Sequence, residues 1–185
     1  MEASSRAVCV YCASADGVDP VYREAGRTLG TLLARAGWTV IYGGSRMGVM
    51  GALADGALAA GGQVVGIMPE FLRKLEIEHE ELSEFHVVED MRIRKHRMLA
   101  QSSAVIALPG GCGTFEELME AITLRKLGVH SHPIYIINTE GYYDPLLVLF
   151  EGAEKAGFFA RSSKYFSVVA TAAEAVAALQ NEHRP

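Results

Sequence analysis

Short apolar runs and helical patterns alternate along the chain, and this alternation restricts the fold more than any other feature. Runs at Ala7–Ala13, Thr39–Tyr42, Val64–Met68, Phe85–Val88, Ala104–Leu108 and Pro133–Asn138, with a weaker one at Phe166–Val169, read as strands. Continuous apolar character of this kind marks strands buried on both faces. Helical periodicity predicts helices at Pro20–Ala36, Met47–Ala60, Met91–Ser102, Thr114–Leu127, Tyr143–Ala156 and Ala172–Gln180. Gly37, Gly61 with Gly62, Gly128 and Gly157 punctuate the helix ends, as helix C-termini prefer. Strand–helix alternation implies an α/β fold, a parallel sheet with helices on both faces joined by right-handed crossovers. No linker, repeat or low-complexity tract interrupts the pattern, and 185 residues suit a single domain over 1–185. The acidic Glu76–Glu84 stretch reads as a solvated loop or short helix.

Composition narrows the function. Half the residues are apolar (50%) and 21% are charged, so a sizeable core is expected. The formal net charge of −5 argues against a general nucleic-acid binder, which carries a basic face. No apolar stretch approaches the roughly 20 residues that span a bilayer. The N-terminus lacks a basic region followed by a long apolar segment, so a cytoplasmic protein is expected. Cys9 and Cys12 form a C-x-x-C string, but residues three apart in a strand point to opposite faces, which favours a structural role.

The richest local signal is Val105 to Glu117. An apolar run ends in Pro109-Gly110-Gly111-Cys112-Gly113, and a helical segment carrying carboxylates follows at once. Glycines let the backbone turn sharply and approach a ligand, and a helix start leaves amide N–H groups unpaired for an anion. Glu117 then stands about one turn inside the helix, next to that anion. Thr114-Phe115-Glu116-Glu117 also fits a capping box, which alone would account for Glu117. Cys112 lies in the loop as a reactive thiol or as mere filling.

Met91, Arg94, Lys95 and Met98 follow the spacing of one helix face. If the methionines turn inward, Arg94 and Lys95 go with them and require an anion or carboxylates. The other reading is a surface helix with snorkelling stems. Arg92, His96 and Arg97 fall elsewhere, as solvated groups. In an open α/β sheet, ligands bind beyond the carboxyl ends of the strands. Two further loops belong there: Ala13-Ser14-Ala15-Asp16-Gly17 and Gly43-Gly44-Ser45-Arg46-Met47-Gly48-Val49-Met50-Gly51. In the second, Gly44 offers close approach to a ribose or base, or Gly48 and Gly51 serve packing. Neither the dinucleotide fingerprint nor the P-loop string occurs. His130-Ser131-His132 is spaced unlike helical zinc ligands, so no metal site is expected. Asn138, Tyr142, Tyr143 and Asp144 either line the pocket or form an ordinary turn.

These residues resemble the LOG family of cytokinin riboside 5′-monophosphate phosphoribohydrolases, often mislabelled as lysine decarboxylases. Pro109 through Glu117 matches its PGGxGTxxE signature, and Met91-x-x-Arg94-Lys95-x-x-Met98 its second. Tyr42-Gly43-Gly44, Gly48-x-Met50-Gly51, Leu127-Gly128-x-His130 and Gly141-Tyr142-Tyr143-Asp144 are also similar. The resemblance implies a Rossmann-like, doubly wound homodimer with sites near the subunit interface and no organic cofactor. It implies Arg94 and Glu117 as the catalytic pair. Lys95, Gly110, Gly111, Cys112, Gly113, Thr114, Phe115, Glu116, Thr123 and Glu76 would bind substrate, alongside the loop residues Ser14, Gly43 and Gly44. Ala13-Ser14-Ala15 stands where Gly-Ser-Ser is usual, Arg92 replaces a frequent His, and Leu124 a frequent Trp. Pyridoxal phosphate needs a Schiff-base lysine, and the only lysine near the expected pocket is Lys95.

The expected reaction is hydrolysis of the N-glycosidic bond of a purine nucleoside 5′-monophosphate, with amides 110–114 on the phosphate and Arg94 holding Glu117 ionised. A non-catalytic nucleotide or molybdenum-cofactor carrier is the main alternative, needing the anion loop but not Glu117. A dinucleotide-dependent oxidoreductase is disfavoured by the missing fingerprint.

Overall fold

The computed structural model describes residues 6–159 and 161–182. Strands β1 (Ala7–Tyr11), β2 (Thr39–Tyr42), β3 (Val64–Pro69), β4 (Glu84–Val88), β5 (Ala104–Ala107), β6 (Ile134–Ile137) and β7 (Ser167–Val169) form one sheet. Its order is β4-β3-β2-β1-β5-β6-β7, with every neighbouring pair parallel. The helices are α1 (Pro20–Arg35), α2 (Gly48–Ala59), α3 (Met91–Ala100), α4 (Cys112–Lys126), α5 (Asp144–Lys155) and α6 (Ala172–Glu182). The Rossmann-like expectation is met. The central strands β1, β2, β3, β5 and β6 are buried and need cover on both faces, which the helices supply, whereas the edge strands β4 and β7 stay partly exposed.

One core layer packs β-strand residues Val8, Val10, Val40 and Ile106 against Leu29, Leu33, Leu53 and Leu179 of α1, α2 and α6. The other packs Cys9, Tyr11, Ile41 and Val105 against Met98, Leu118 and Ile122 of α3 and α4. Cys9 and Cys12 therefore fall in opposite layers, and burial pushes both thiols well above their ordinary pKa. The C-x-x-C string is structural.

Boundaries differ from expectation mainly at α4. It begins at Cys112 rather than Thr114, because Gly111 takes the N-cap position with no side-chain cap. Asp19 and Asp90 cap α1 and α3 through the amides of Val21 and Ile93. The acidic stretch contains β4's first residue and a loop tied to Ser45 by an antiparallel bridge at Glu78; a short 3₁₀ helix, Glu70–Lys74, precedes it. Among the described residues, no helix is long and apolar enough to cross a membrane.

Strand order runs from β1 through β2 toward β4 in one direction and from β5 toward β7 in the other. The crevice at that reversal lies beyond the carboxyl ends of β1 and β5, where side chains of two diverging loops face each other.

α1 and α2 cross closely. A Cβ at Gly30 would stand 2.0 Å from the Leu53 carbonyl oxygen, and one at Gly56 2.2 Å from that of Arg27. Gly30→Val forces these helices apart and adds a poor helix former, so urea unfolding is expected to show a loss of about 2–3 kcal/mol.

Candidate active site

The glycine-rich turn after β5 is held from behind. Tyr143 donates to the Leu108 carbonyl at 2.8 Å and Tyr142 to the Gly110 carbonyl at 2.5 Å. Asn138 accepts from the Tyr143 amide and donates to Asp144, so these residues form a closed turn that buttresses the loop rather than lining the cleft. No side-chain hydrogen bond caps the start of α4, and Gly111, Gly113 and Thr114 at that start line the cleft. Thr114 sits inside that turn, 3% exposed, and a Cβ at Gly110 would meet its Oγ1 at 2.1 Å. The capping box does not form. Glu117 instead points inward from the second turn.

Met98 is buried in the core, and the face it shares with Arg94 turns inward, as the spacing predicts. Arg94 is 4% exposed and donates from Nε to the Ile67 carbonyl at 3.0 Å. Its Nη1 stands 3.9 Å from Glu117 Oε1, and Glu117 is also 4% exposed. Arg94 Nη2 is buried with no partner. A Cβ at Gly43 would lie 1.9 Å from that nitrogen, so the glycine makes room for the guanidinium.

Burial raises the Glu117 pKa to about 7, against the opposing pull of Arg94. Glu116 adds a smaller rise. The expectation that Arg94 holds Glu117 ionised is corrected: at 3.9 Å the guanidinium offsets only part of the desolvation cost. The carboxyl is poised to exchange a proton near neutral pH.

Across the cleft, Ser14 donates to Glu76 Oε1 at 2.6 Å. Ser14, Glu76, Arg94, Thr114 and Glu117, with Gly111 and Gly113, line one opening of about 430 Å³. Its apolar walls are Cys12, Ala13, Ala15, Met50, Phe71, Leu72 and Met91. Of these, Cys12, Phe71 and Leu72 were not foreseen. Phe71 and Leu72 belong to the 3₁₀ turn, which carries no periodic signal in the sequence.

Other expected substrate contacts lie outside this lining. Gly43 faces Arg94, and Gly44, at φ +85°, packs against the Phe85 ring. Gly48 and Gly51 allow close packing on the Ala15 and Arg46 backbones. Cys112 is exposed at the start of α4, and Phe115 stacks on Tyr142. Lys95 pairs with Glu116 and Glu120 and lines a second groove between α3 and α4. Burial lowers its pKa, yet hydrogen bonds to the two carboxylates leave it raised. Thr123 is exposed farther along α4. Among the described residues, no group of three or more His, Cys, Asp or Glu side chains is placed to hold a metal ion. His130 and His132 stack on each other, with His130 Nε2 2.9 Å from the Ala121 carbonyl.

Comparison with known proteins identifies the family and the fold. A family model described as "Possible lysine decarboxylase" matches residues 50–179. "Probable cytokinin riboside 5′-monophosphate phosphoribohydrolase LOGL1" of Oryza sativa subsp. japonica is 42% identical over 166 residues, covering 90% of this chain and 74% of that one. The cytokinin riboside 5′-monophosphate phosphoribohydrolase of Rhodococcoides fascians is 39% identical over 178 residues, covering 95% and 90%. Among solved structures, the molybdenum cofactor binding protein of Rippkaea orientalis superimposes with a TM-score of 0.75 at 21% identity, covering 97% of this chain and 98% of that one. The molybdenum cofactor carrier protein of Chlamydomonas reinhardtii gives 0.70 at 22%, covering 95% and 96%. At such low identity these two likenesses concern the fold alone. The family match and the near full-length identity to its relatives show that this chain belongs to the LOG family.

Proposed function

We propose that the protein hydrolyses the N-glycosidic bond of purine nucleoside 5′-monophosphates, cytokinin riboside monophosphates among them, releasing free base and ribose 5-phosphate. One observation carries this reading: Glu117 and Arg94 are buried together in a cleft that also receives the uncapped start of α4. The amides at that helix start hold the 5′-phosphate and so fix the sugar's reacting carbon. As the C1′–N bond breaks, its electron pair leaves with the base and positive charge grows on the ribose, as in glycoside cleavage. Water adds to C1′ while Glu117 accepts its proton, a task suited to a carboxyl that titrates near 7. The unpartnered Nη2 of Arg94 donates a hydrogen bond to the negative charge that develops on the departing base, and the proton that Glu117 took from water returns through solvent to the base nitrogen, restoring the carboxylate.

A decarboxylase is a poorer fit. Lys95 is ion-paired outside the cleft and its pKa is raised, the reverse of what a Schiff-base lysine requires. A molybdenum-cofactor carrier would use the anion loop but has no need of Glu117 facing Arg94.

We also propose a homodimer, as the family resemblance implies. The α3–α4 groove, about 510 Å³, is lined by Arg92, Lys95 and His96 from α3 and by Glu120 from α4, and its apolar Leu99, Leu124 and Val129 offer a surface for a second copy. Val129 at its edge is 67% exposed. Light scattering on a sizing column is expected to give twice the mass of one chain, and Val129→Asp to shift it toward monomer; a monomeric wild type overturns the dimer.

Incubation with AMP and N6-substituted AMP is expected to release base and ribose 5-phosphate. Glu117→Gln lowers kcat about 10²–10⁴-fold, the usual contribution of a general base. Arg94→Ala is expected to lower kcat/KM as well, and full activity in both variants sinks the hydrolase. Because Glu117 works ionised and its pKa lies at about 7, kcat/KM of the wild type rises with pH through neutrality and levels off above it. A profile flat from pH 5 to 9 removes Glu117 as the base.

A further inference from the structure

Lys95 follows Arg94 on α3, yet its ammonium turns away from the cleft. It pairs with Glu116 and, at 3.1 Å, with Glu120, both on α4, and its side chain is 13% exposed. Neighbouring residues of α3 thus meet one stretch of α4. Arg94 reaches Glu117 inside the cleft, and Lys95 reaches Glu116 and Glu120 outside it. An exposed ion pair contributes little, because water screens it and two long side chains must be fixed. Here the ammonium is largely withdrawn from water. One cation also serves two carboxylates four residues apart on a helix, which otherwise repel each other.

Glu117 is next in the chain to Glu116 and almost wholly buried, so nearby charges act on it through little water. The titratable groups that act on it are Arg94 and Lys95 of α3, Glu116 of its own helix, Glu76 of the loop before β4, and Cys9, Tyr11 and Cys12 of β1 and its end. Burial keeps the phenol and both thiols neutral. Desolvation is the largest influence on Glu117. After it, Arg94 lowers its proton affinity, Glu116 raises it, Lys95 lowers it and Glu76 raises it. Without the ammonium, Glu116 and Glu120 would keep their charge and press on Glu117 uncompensated.

We infer that Lys95 is a positioning residue that governs Glu117 through α4 rather than by touching the nucleotide: it clasps Glu116 and Glu120, screens Glu117 from their charge and ties α4 to the helix that carries Arg94. The inference rests on the reading of Glu117 as the base of the hydrolase. It departs from the family resemblance, which makes Lys95 a substrate contact, and the two roles give different results.

Carbon-13 NMR of protein labelled at its glutamate carboxyls follows Glu117 with no ligand present, and Glu117→Gln identifies the resonance. Wild type is expected to titrate at about 7. Lys95→Met moves that midpoint up by about half a unit to one unit, the effect of one charge several ångströms away in a partly screened medium. Glu116→Gln moves it down, and adding Glu116→Gln to Lys95→Met brings it back toward wild type. Lys95→Arg keeps the charge and moves it less than the methionine does. In AMP hydrolysis the rising limb of kcat/KM follows the same signs, so Lys95→Met loses most below neutrality and least above it. A substrate contact would instead raise KM at every pH and leave the ligand-free midpoint alone, and a merely structural lysine would lower Tm with the midpoint in place. A midpoint unmoved in Lys95→Met, or left fully displaced in the double variant, overturns the inference. Should Lys95→Met not fold, Glu116→Gln decides by itself, since an unmoved midpoint there overturns it as well. AMP turnover with an unmoved midpoint sinks this inference alone, whereas midpoints that move as stated in a protein that leaves AMP intact sink only the hydrolase.

Discussion

A carboxyl and a guanidinium, each almost wholly removed from solvent, meet at 3.9 Å where the sheet changes direction. Burying two charges costs several kcal/mol per ion, and only close, fully bonded geometry recovers it. Here the geometry is loose. Arg94 spends Nε on a backbone carbonyl and leaves Nη2 unmatched, and the Glu117 pKa rises despite its neighbour. A pair arranged in this way is a poor stabiliser and a good receptor for a polar ligand, and the surrounding elements are organised around keeping it there.

Each support has an identifiable physical origin. Core methionine Met98 and the Asp90 cap set the rotation and start of α3. The absence of a side chain at Gly43 provides the volume that the guanidinium fills. Tyr142 and Tyr143 hold the carbonyls of Gly110 and Leu108 and so fix the glycine-rich turn from behind. On α4, Leu118, Ala121 and Ile122 pack into the second core layer, and Glu117 is buried at the edge of the same packed side.

Much of this was legible beforehand. Apolar runs located β1, β2, β3, β5 and β6 because strands covered on both faces cannot alternate, while the edge strands β4 and β7, largely exposed, gave weaker runs. Spacing on α3 separated Arg94 from Arg92 and Arg97, since one residue along a helix rotates a side chain by about 100°. The start of α4 was misplaced because Thr114 looks like a cap, whereas Gly111 takes that position through backbone conformation alone. Gly43 and Gly44 read as ligand contacts, but glycine records only that something approaches closely. At Gly43 that something is Arg94, and at Gly44 it is Phe85. Phe71 and Leu72 were missed because a 3₁₀ turn is too short for a period.

The sequence by itself determined the α/β layering, the glycine-rich turn and the family, because periodicity and short motifs are local properties of the chain. Only the tertiary structure decided which charged groups face one another. Lys95, adjacent to Arg94, turns to a different groove, and Glu76 reaches the cleft from a loop with no pattern of its own. The proton affinity of Glu117 was likewise out of reach, since it depends on desolvation by residues distant in the chain.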